Sequence, residues 1–288
     1  MKKKVLIIQE NGRHEANSHL RECHSMKRAF NSHNVDCDVW GLGHENYEEA
    51  PDFESYDLII NLENYDEAGW VPDLSEIRTP VKFLWVIDAH FRGIGSYLRE
   101  YVRGEYDLIL QATKDFLGEN SIWLPNAYDD DYVKPDGGEK LYDVGFCGNI
   151  LNRGGLLNLI DAEFGVKKDI FVIGEDMVKA INSYKVHVNA NISCDFNYRN
   201  LETIGCGTIL AAHDSTEQYE LLGFKDGENC ILFKTMEEFK EKVRKVLADD
   251  SYRTKMSKEA KKLAKKHTYK VRAKTIIEEW KTLKKEQL

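Results

Sequence analysis

No stretch of this chain stays apolar for the eighteen or so residues that a membrane-spanning helix needs. The start, MKKKVLIIQE, is basic, but its apolar run is four residues long, too short for the core of a secretory signal. A soluble, cytoplasmic protein is the expectation. Closely paired cysteines are missing as well. The six cysteines (Cys23, Cys37, Cys147, Cys194, Cys206 and Cys230) form no C-x-x-C, so neither a disulfide framework nor a zinc site is expected, and the thiols read as reduced. His19 and Cys23 could share a helix face, with His24 beside them, but scattered donors of this kind read as ordinary side chains. Excess positive charge is also lacking. Forty Lys and Arg against 49 Asp and Glu leave a net charge of -9, which argues against a general nucleic-acid or membrane-surface binder. Internal repeats and low-complexity tracts are absent too.

What is present is a rhythm. With 42% hydrophobic residues and 288 residues in all, the chain can build one large or two ordinary domains. KKVLIIQEN reads as a buried strand, and residues 16–33 as a helix with Leu20, Cys23, Met26, Lys27 and Phe30 at three- and four-residue steps. VDCDVWGLG, YDLIINLE, VKFLWVID and YDLILQAT follow as strands. The last three are solid apolar runs without alternation, as in strands covered on both faces. Strands alternating with helical stretches predict a parallel sheet with right-handed crossovers, hence a Rossmann-like domain over residues 1–125.

WLPNAYDDDYVKPDGGEK, with its prolines, glycines and acids, reads as a connection over residues 126–139. The rhythm then restarts with strands at YDVGFCGN, KDIFVIG, VHVNANI, TILAAH and NCILFKT, and helices at NRGGLLNLIDAEFG, EDMVKAINSYK and YRNLETIGCG. This predicts a second Rossmann-like unit over 140–268, closing with helices. The first of these has a capping box at Thr235 and Glu238 and an apolar face of Phe239, Val243, Val246 and Leu247. The last helix, 269–288, carries Ala273, Ile276, Ile277, Trp280 and Leu283 in one stripe and is expected to cross back to the first domain. Its lysines read as a solvated face. Tandem units of this kind place a ligand at the carboxyl ends of their strands, in a crevice between the lobes.

The ordered series YRNLETIGCGTIL, GFKDGENCILF, TMEEF and HTYKVR is fairly specific. It resembles the second half of GT-B glycosyltransferases, and within them the CgeB-like (spore-maturation) group, over residues 140–275. The first half resembles the group in its strand rhythm and in WLPNAYD, which contains Asn126. The resemblance implies a GT-B-like α/β fold, two Rossmann-like domains facing each other across a cleft. It implies transfer of a sugar from a nucleotide-diphosphate sugar to a hydroxyl acceptor, without a cofactor.

On that resemblance, Glu202 holds the position of a glutamate that accepts from the donor's ribose hydroxyls, two at once. Gly205 and Gly207 would let backbone approach the nucleotide, and Thr208 would offer a hydroxyl to a phosphate. Retaining members carry a second acid upstream; counting eight positions back from Glu202 reaches Cys194, with Asp195 adjacent. In GFCGNILNRGG, Asn149 stands where an arginine is common and Arg153 lies one residue early for a lysine. A departing nucleoside diphosphate needs cations or helix N-termini. Arg153 and Arg199 are the candidates, with Gly148, Gly154 and Gly155 giving the amides room.

For the acceptor side, Asp88 and His90 end the strand WVIDAHF as candidate bases; capping the next helix explains them equally well. Gly12, Arg13 and His14 in ENGRHEAN, with Asn126, are placed at the same crevice. Asp129, Asp130 and Asp131 mimic a metal-binding Asp-x-Asp but follow LPNAY in a connection, so no metal is expected. Two other readings stay open. One is a non-catalytic nucleotide-sugar binder, favoured by the spacing at Asp195 and by Asn149. The other is a transferase acting on a DNA base, for which the lysine-rich tail could track phosphates.

Overall fold

The computed structural model describes residues 3–12, 19–63, 69–92, 106–191 and 195–286. Arg13, His14 and Cys194 lie outside the described residues. The chain divides into two compact units, residues 1–126 with 269–288 and residues 127–268.

The first unit is built on β1 (Lys4–Ile8), β2 (Asp36–Trp40), β3 (Leu58–Leu62), β4 (Val81–Val86), β5 (Leu108–Gln111) and β6 (Ser121–Trp123), in the order β2-β1-β3-β4-β5-β6. Every pairing in it is parallel. Each residue of β3 and β4 is buried, which explains why those segments read as unbroken apolar runs. The helix α1 (Glu22–Ser32) starts later than its periodicity predicts. Its buried Cys23, Met26 and Phe30 keep the expected steps. Beyond β4 a short helix, α2 (Ala89–Arg92), follows. The strand β6 was not predicted: three half-buried residues at a sheet edge leave no hydrophobic signature.

The second unit carries β7 (Tyr142–Gly148), β8 (Lys167–Ile170), β9 (Tyr184–Asn189), β10 (Ile209–His213) and β11 (Ile231–Phe233), ordered β11-β10-β9-β7-β8 and again parallel throughout. Its helices are α3 (Gly154–Phe164), α4 (Gly174–Ser183), α5 (Tyr198–Gly205), α6 (Gln218–Leu221), α7 (Met236–Ala248) and α8 (Asp250–Ala264). Its core runs from Val144 and Phe146 through Val186, Val188, Ile209 and Ala211 to Phe233, Phe239 and Val243. The segment KDIFVIG stops being a strand at Ile170, because Phe171 turns to φ 57°. The expected capping box at α7 is present. Thr235 Oγ1 accepts from the Glu238 amide at 3.2 Å, and the Glu238 carboxylate reaches back to the Thr235 amide and to that of Lys234, the latter at 2.8 Å.

The last helix, α9 (Tyr269–Glu286), belongs to the first unit. It packs along α1 and buries Ala273, Ile276 and Trp280 completely. Polar ties anchor it. Arg272 donates from Nε to the Pro125 carbonyl at 2.7 Å and from Nη2 to that of Asn126 at 3.2 Å. Lys284 pairs with Asp57 at 3.2 Å. The lysine face is therefore partly engaged: Lys284 also lies 5.2 Å from the Trp280 ring.

Candidate functional site

In a parallel sheet every strand ends at the same edge, and in Rossmann-like units that carboxyl edge is where ligands bind. In the second unit it is formed by Gly148, Asn189 and His213, the last residues of β7, β9 and β10. The chain leaves β7 through Gly148, whose φ of 153° is strained for any other residue. Asn149 then closes a tight turn, accepting the Leu151 amide on Oδ1 at 2.9 Å. Arg153 sits just before α3, is 9% exposed, and holds the turn together. Its Nε donates to the Ala190 carbonyl at 2.6 Å and its Nη1 to the Asn149 carbonyl at 2.8 Å.

From the other side α5 enters with its N-terminus at this edge. Arg199 and Glu202 stand one turn apart and pair at 2.6 Å, with side chains 21% and 16% exposed. The pair is therefore partly sheltered. Burial pushes the Arg153 guanidinium below its ordinary range; Asp195 opposes the shift and the charge of Arg199 adds to it. Two guanidiniums that feel each other beside a helix N-terminus make a place where an anion is stabilised.

A buried relay ties this edge together. The Cys147 amide donates to His187 Nε2 at 3.1 Å, so the ring proton is on Nδ1, which lies 2.7 Å from Thr203 Oγ1. Thr203 Oγ1 in turn donates to the Arg199 carbonyl at 2.6 Å. Burial, and then the charges of Arg199 and Arg153, lower His187 to about 3. It is a neutral strut between β7, β9 and α5.

Four asparagines form a second network that the sequence reading missed. Asn189 Nδ2 donates to Asn197 Oδ1 at 3.0 Å and to Asn200 Oδ1 at 2.7 Å, and Asn197 Nδ2 donates to Asn191 Oδ1 at 3.0 Å. Tyr219 donates to Asn200 Oδ1 at 3.2 Å and accepts from Asn191 at 3.1 Å. The signal was there: N-x-N spacing leaving a strand and N-x-x-N spacing on the following helix start. Next to this network, Asp214, Ser215, Thr216, Glu217, Glu220, Phe224, Leu232 and Lys234 line a cavity of ≈ 500 Å³ at the ends of β10 and β11, the size of a small-molecule site.

The structure divides the predicted donor residues. Gly148, Asn149, Arg153, Arg199 and Glu202 gather at the carboxyl edge. Gly205, Gly207 and Thr208 do not: α5 runs away from that edge, and they lie where β10 begins. Their features have local causes there. A Cβ on Gly205 would come 2.7 Å from the Tyr128 ring. Gly207 has φ 71° and abuts Lys261 and Pro135. The fully buried Thr208 hydroxyl donates to the Ile181 carbonyl and accepts from Lys140 Nζ, both at 2.8 Å. Helix direction thus sets these three apart from the carboxyl edge, at the start of β10.

In the first unit, Asp88 follows β4 and precedes α2, with its amide donating to the buried Glu63 carboxylate. Glu63 was not singled out in the sequence. His90 is half-buried in the first turn of α2. Gly12 has φ 62° and a Cβ there would meet Arg21 at 2.8 Å. Asn126 is buried, its carbonyl engaged by Arg272. Asp129 is buried too and accepts the Asp131 amide at 3.0 Å, which makes it a turn-forming residue.

Residues 152–278 match the family model described as glycosyl transferase-like. No curated protein matches the chain in sequence. Solved structures resemble it in fold. A glycosyltransferase from Rickettsia africae superposes with a TM-score of 0.65 at 9% identity, covering 98% of each chain. HepE from Anabaena, solved with UDP and glucose, gives 0.63 at 14% identity over 97% of this chain and 100% of its own. An alpha-glucosyltransferase solved with UDP and a 13-mer DNA containing an HMU base gives 0.65 at 11% identity over 93% of this chain and 96% of its own. The fold is GT-B, with two Rossmann-like domains, and residues 152–278 within it are glycosyl transferase-like in sequence. Among the described residues no helix is long and apolar enough to cross a membrane.

Proposed function

We propose that this protein is a glycosyltransferase that draws its sugar from a nucleoside-diphosphate sugar held at the carboxyl edge of the second unit, and passes it to a hydroxyl acceptor. The observation that carries the proposal is the convergence there of two arginines, one carboxylate and a helix N-terminus within the matched segment. Glu202 accepts the ribose hydroxyls on the oxygen that Arg199 does not use. Among the described residues no partner takes Arg153 Nη2, which is left for the diphosphate with the amides that open α3. When the bond from the anomeric carbon to the diphosphate breaks, the charge on the leaving oxygen is taken up by these donors. The acceptor oxygen forms the new bond, and Asp88 or His90 takes its proton. Arginines and amides supply the countercharge that a metal gives in other transferases, so donor binding is metal-independent in this account. Retention of configuration and placement in the CgeB-like group belong to the same proposal and rest on the motif series.

HepE's structures with UDP and UDP-glucose make UDP-glucose the first donor to try. Purified protein incubated with UDP-, GDP-, ADP- and dTDP-sugars and a hydroxyl acceptor should release nucleoside diphosphate from one of them. Arg199→Ala and Arg153→Met should each reduce that release at least tenfold. Nucleotide binding without turnover across donors and acceptors would favour a non-catalytic binder. The net charge of -9 argues against a polyanionic acceptor, and salt-sensitive DNA binding would revive one.

A further inference from the structure

At the carboxyl edge of the first unit's sheet, one thiol and two imidazoles meet. Cys23 and His24 lie in the first turn of α1, and His44 in the turn that follows β2. One ligand atom from each lies within 4.8 Å of the other two. Cys23 is fully buried and both histidines are half-buried. The two rings meet edge to face at 5.4 Å.

The rings are oriented from behind by oxygens. His44 Nε2 lies 3.0 Å from the Gln9 carbonyl. A carbonyl can only accept, so Nε2 carries the proton and Nδ1 the lone pair. His24 Nε2 lies 3.3 Å from Asn11 Oδ1. The Asn11 amide is itself fixed, because its Nδ2 donates to the Gly43 carbonyl at 3.1 Å. Gln9 braces the third group as well, since its Oε1 accepts the Cys23 amide at 2.9 Å. Histidines that bind metals are held in this manner, one nitrogen tied to an oxygen acceptor and the other free to ligate.

We propose that Cys23, His24 and His44 form a three-ligand site for a borderline-soft divalent metal, Zn2+ foremost, with its fourth position open to a water or hydroxyl oxygen. A thiolate with two imidazoles suits zinc and excludes magnesium and calcium, which take oxygen. Zinc bonds of about 2.3 Å to sulfur and about 2.0 Å to nitrogen place tetrahedral ligand atoms roughly 3.3–3.7 Å apart. The three ligand atoms already lie within 4.8 Å of one another, so side-chain rotation alone can bring them to that spacing. Binding replaces the thiol proton: Cys–SH and M2+ give the metal thiolate and one proton released to solvent. Three protein ligands with one vacancy is the pattern of zinc sites that bind a further oxygen, where purely structural sites are closed by four. This inference goes beyond the donor reading and stands without it, since all three ligands belong to the first unit.

The test uses the full chain, stripped with a chelator and titrated with Zn2+ against a chromophoric competitor, then with Co2+ as a spectroscopic probe. One equivalent should bind with sub-micromolar affinity, and Co2+ should give a near-ultraviolet thiolate charge-transfer band. Cys23→Ser should abolish that band, whereas Cys37→Ser, which changes a buried thiol on β2, should keep it. His44→Ala, at a half-buried position, should weaken binding at least tenfold with an unchanged circular dichroism spectrum. That result supports the site even where Cys23→Ser does not fold. Less than one equivalent bound, a band that survives Cys23→Ser, or wild-type affinity in His44→Ala would each overturn the proposal.

Discussion

Glu202→Gln separates the ribose from the diphosphate. In the wild type the carboxylate has one oxygen on Arg199 at 2.6 Å and the other turned to the proposed ribose. A hydrogen bond to a charged group contributes about 1.5–3 kcal/mol, roughly twice a neutral one. The amide should therefore cost about 1.5–3 kcal/mol of nucleotide affinity, or about 10- to 100-fold in Kd for the preferred nucleoside diphosphate. The same change removes a negative charge beside Arg199 and Arg153, so pyrophosphate, which lacks a ribose, should bind as well as before or better. Loss of the ion pair, with its side chains only 21% and 16% exposed, should also cost about 1–2 kcal/mol of stability, a few degrees of Tm. Isothermal titration of both ligands into both proteins reads all of this. Nucleotide affinity unchanged in a folded variant, or nucleotide and pyrophosphate weakened alike, would refute the reasoning.

Other substitutions probe the rest of the account. Gly205→Ala puts a methyl 2.7 Å from the Tyr128 ring, and should destabilise by about 1–3 kcal/mol while leaving nucleotide Kd unchanged, because it lies at the far edge of the sheet. Equal loss of affinity and stability there would contradict the division of the site. Arg153→Lys keeps a charge but not the fork that joins Ala190 to Asn149. Thermal unfolding should show a drop of about 1–3 kcal/mol, and calorimetry a weaker nucleotide. His187 is held near 3, below its ordinary 6.5. Between those values the unfolded chain binds the extra proton, so this contribution to stability is complete above about 6.5 and is lost as pH falls toward 3. The stability difference between wild type and His187→Gln should shrink over that range by up to about 1.4 kcal/mol per pH unit; a difference that does not vary with pH would contradict the buried neutral ring.

Strands buried on both faces announce themselves, which is why β3, β4 and the two parallel sheets were legible in composition alone. So was the stripe Ala273, Ile276, Trp280 on α9, a pattern that only burial of one helix face requires. Short edges were not: β6 buries too little to leave a period, and a single left-handed Phe171 cut β8 short without any glycine or proline to mark it. The candidate site was legible as a motif but not as a direction. Glu202 and Gly205 are three residues apart in sequence, yet one turn of helix carries the second away from the edge where the first can meet a ligand. The asparagine network and the Cys23, His24, His44 cluster depend on which loops a sheet brings together. Gln9 and His44 are 35 positions apart, and no spacing rule joins them.

The most direct measurement is amide hydrogen exchange with and without the nucleoside diphosphate that binds best. The account predicts protection at residues 149–155 and 198–202, with none at Gly205, Gly207 or Thr208. Protection confined to the Tyr128–Gly205 edge, or absent from both, would contradict it.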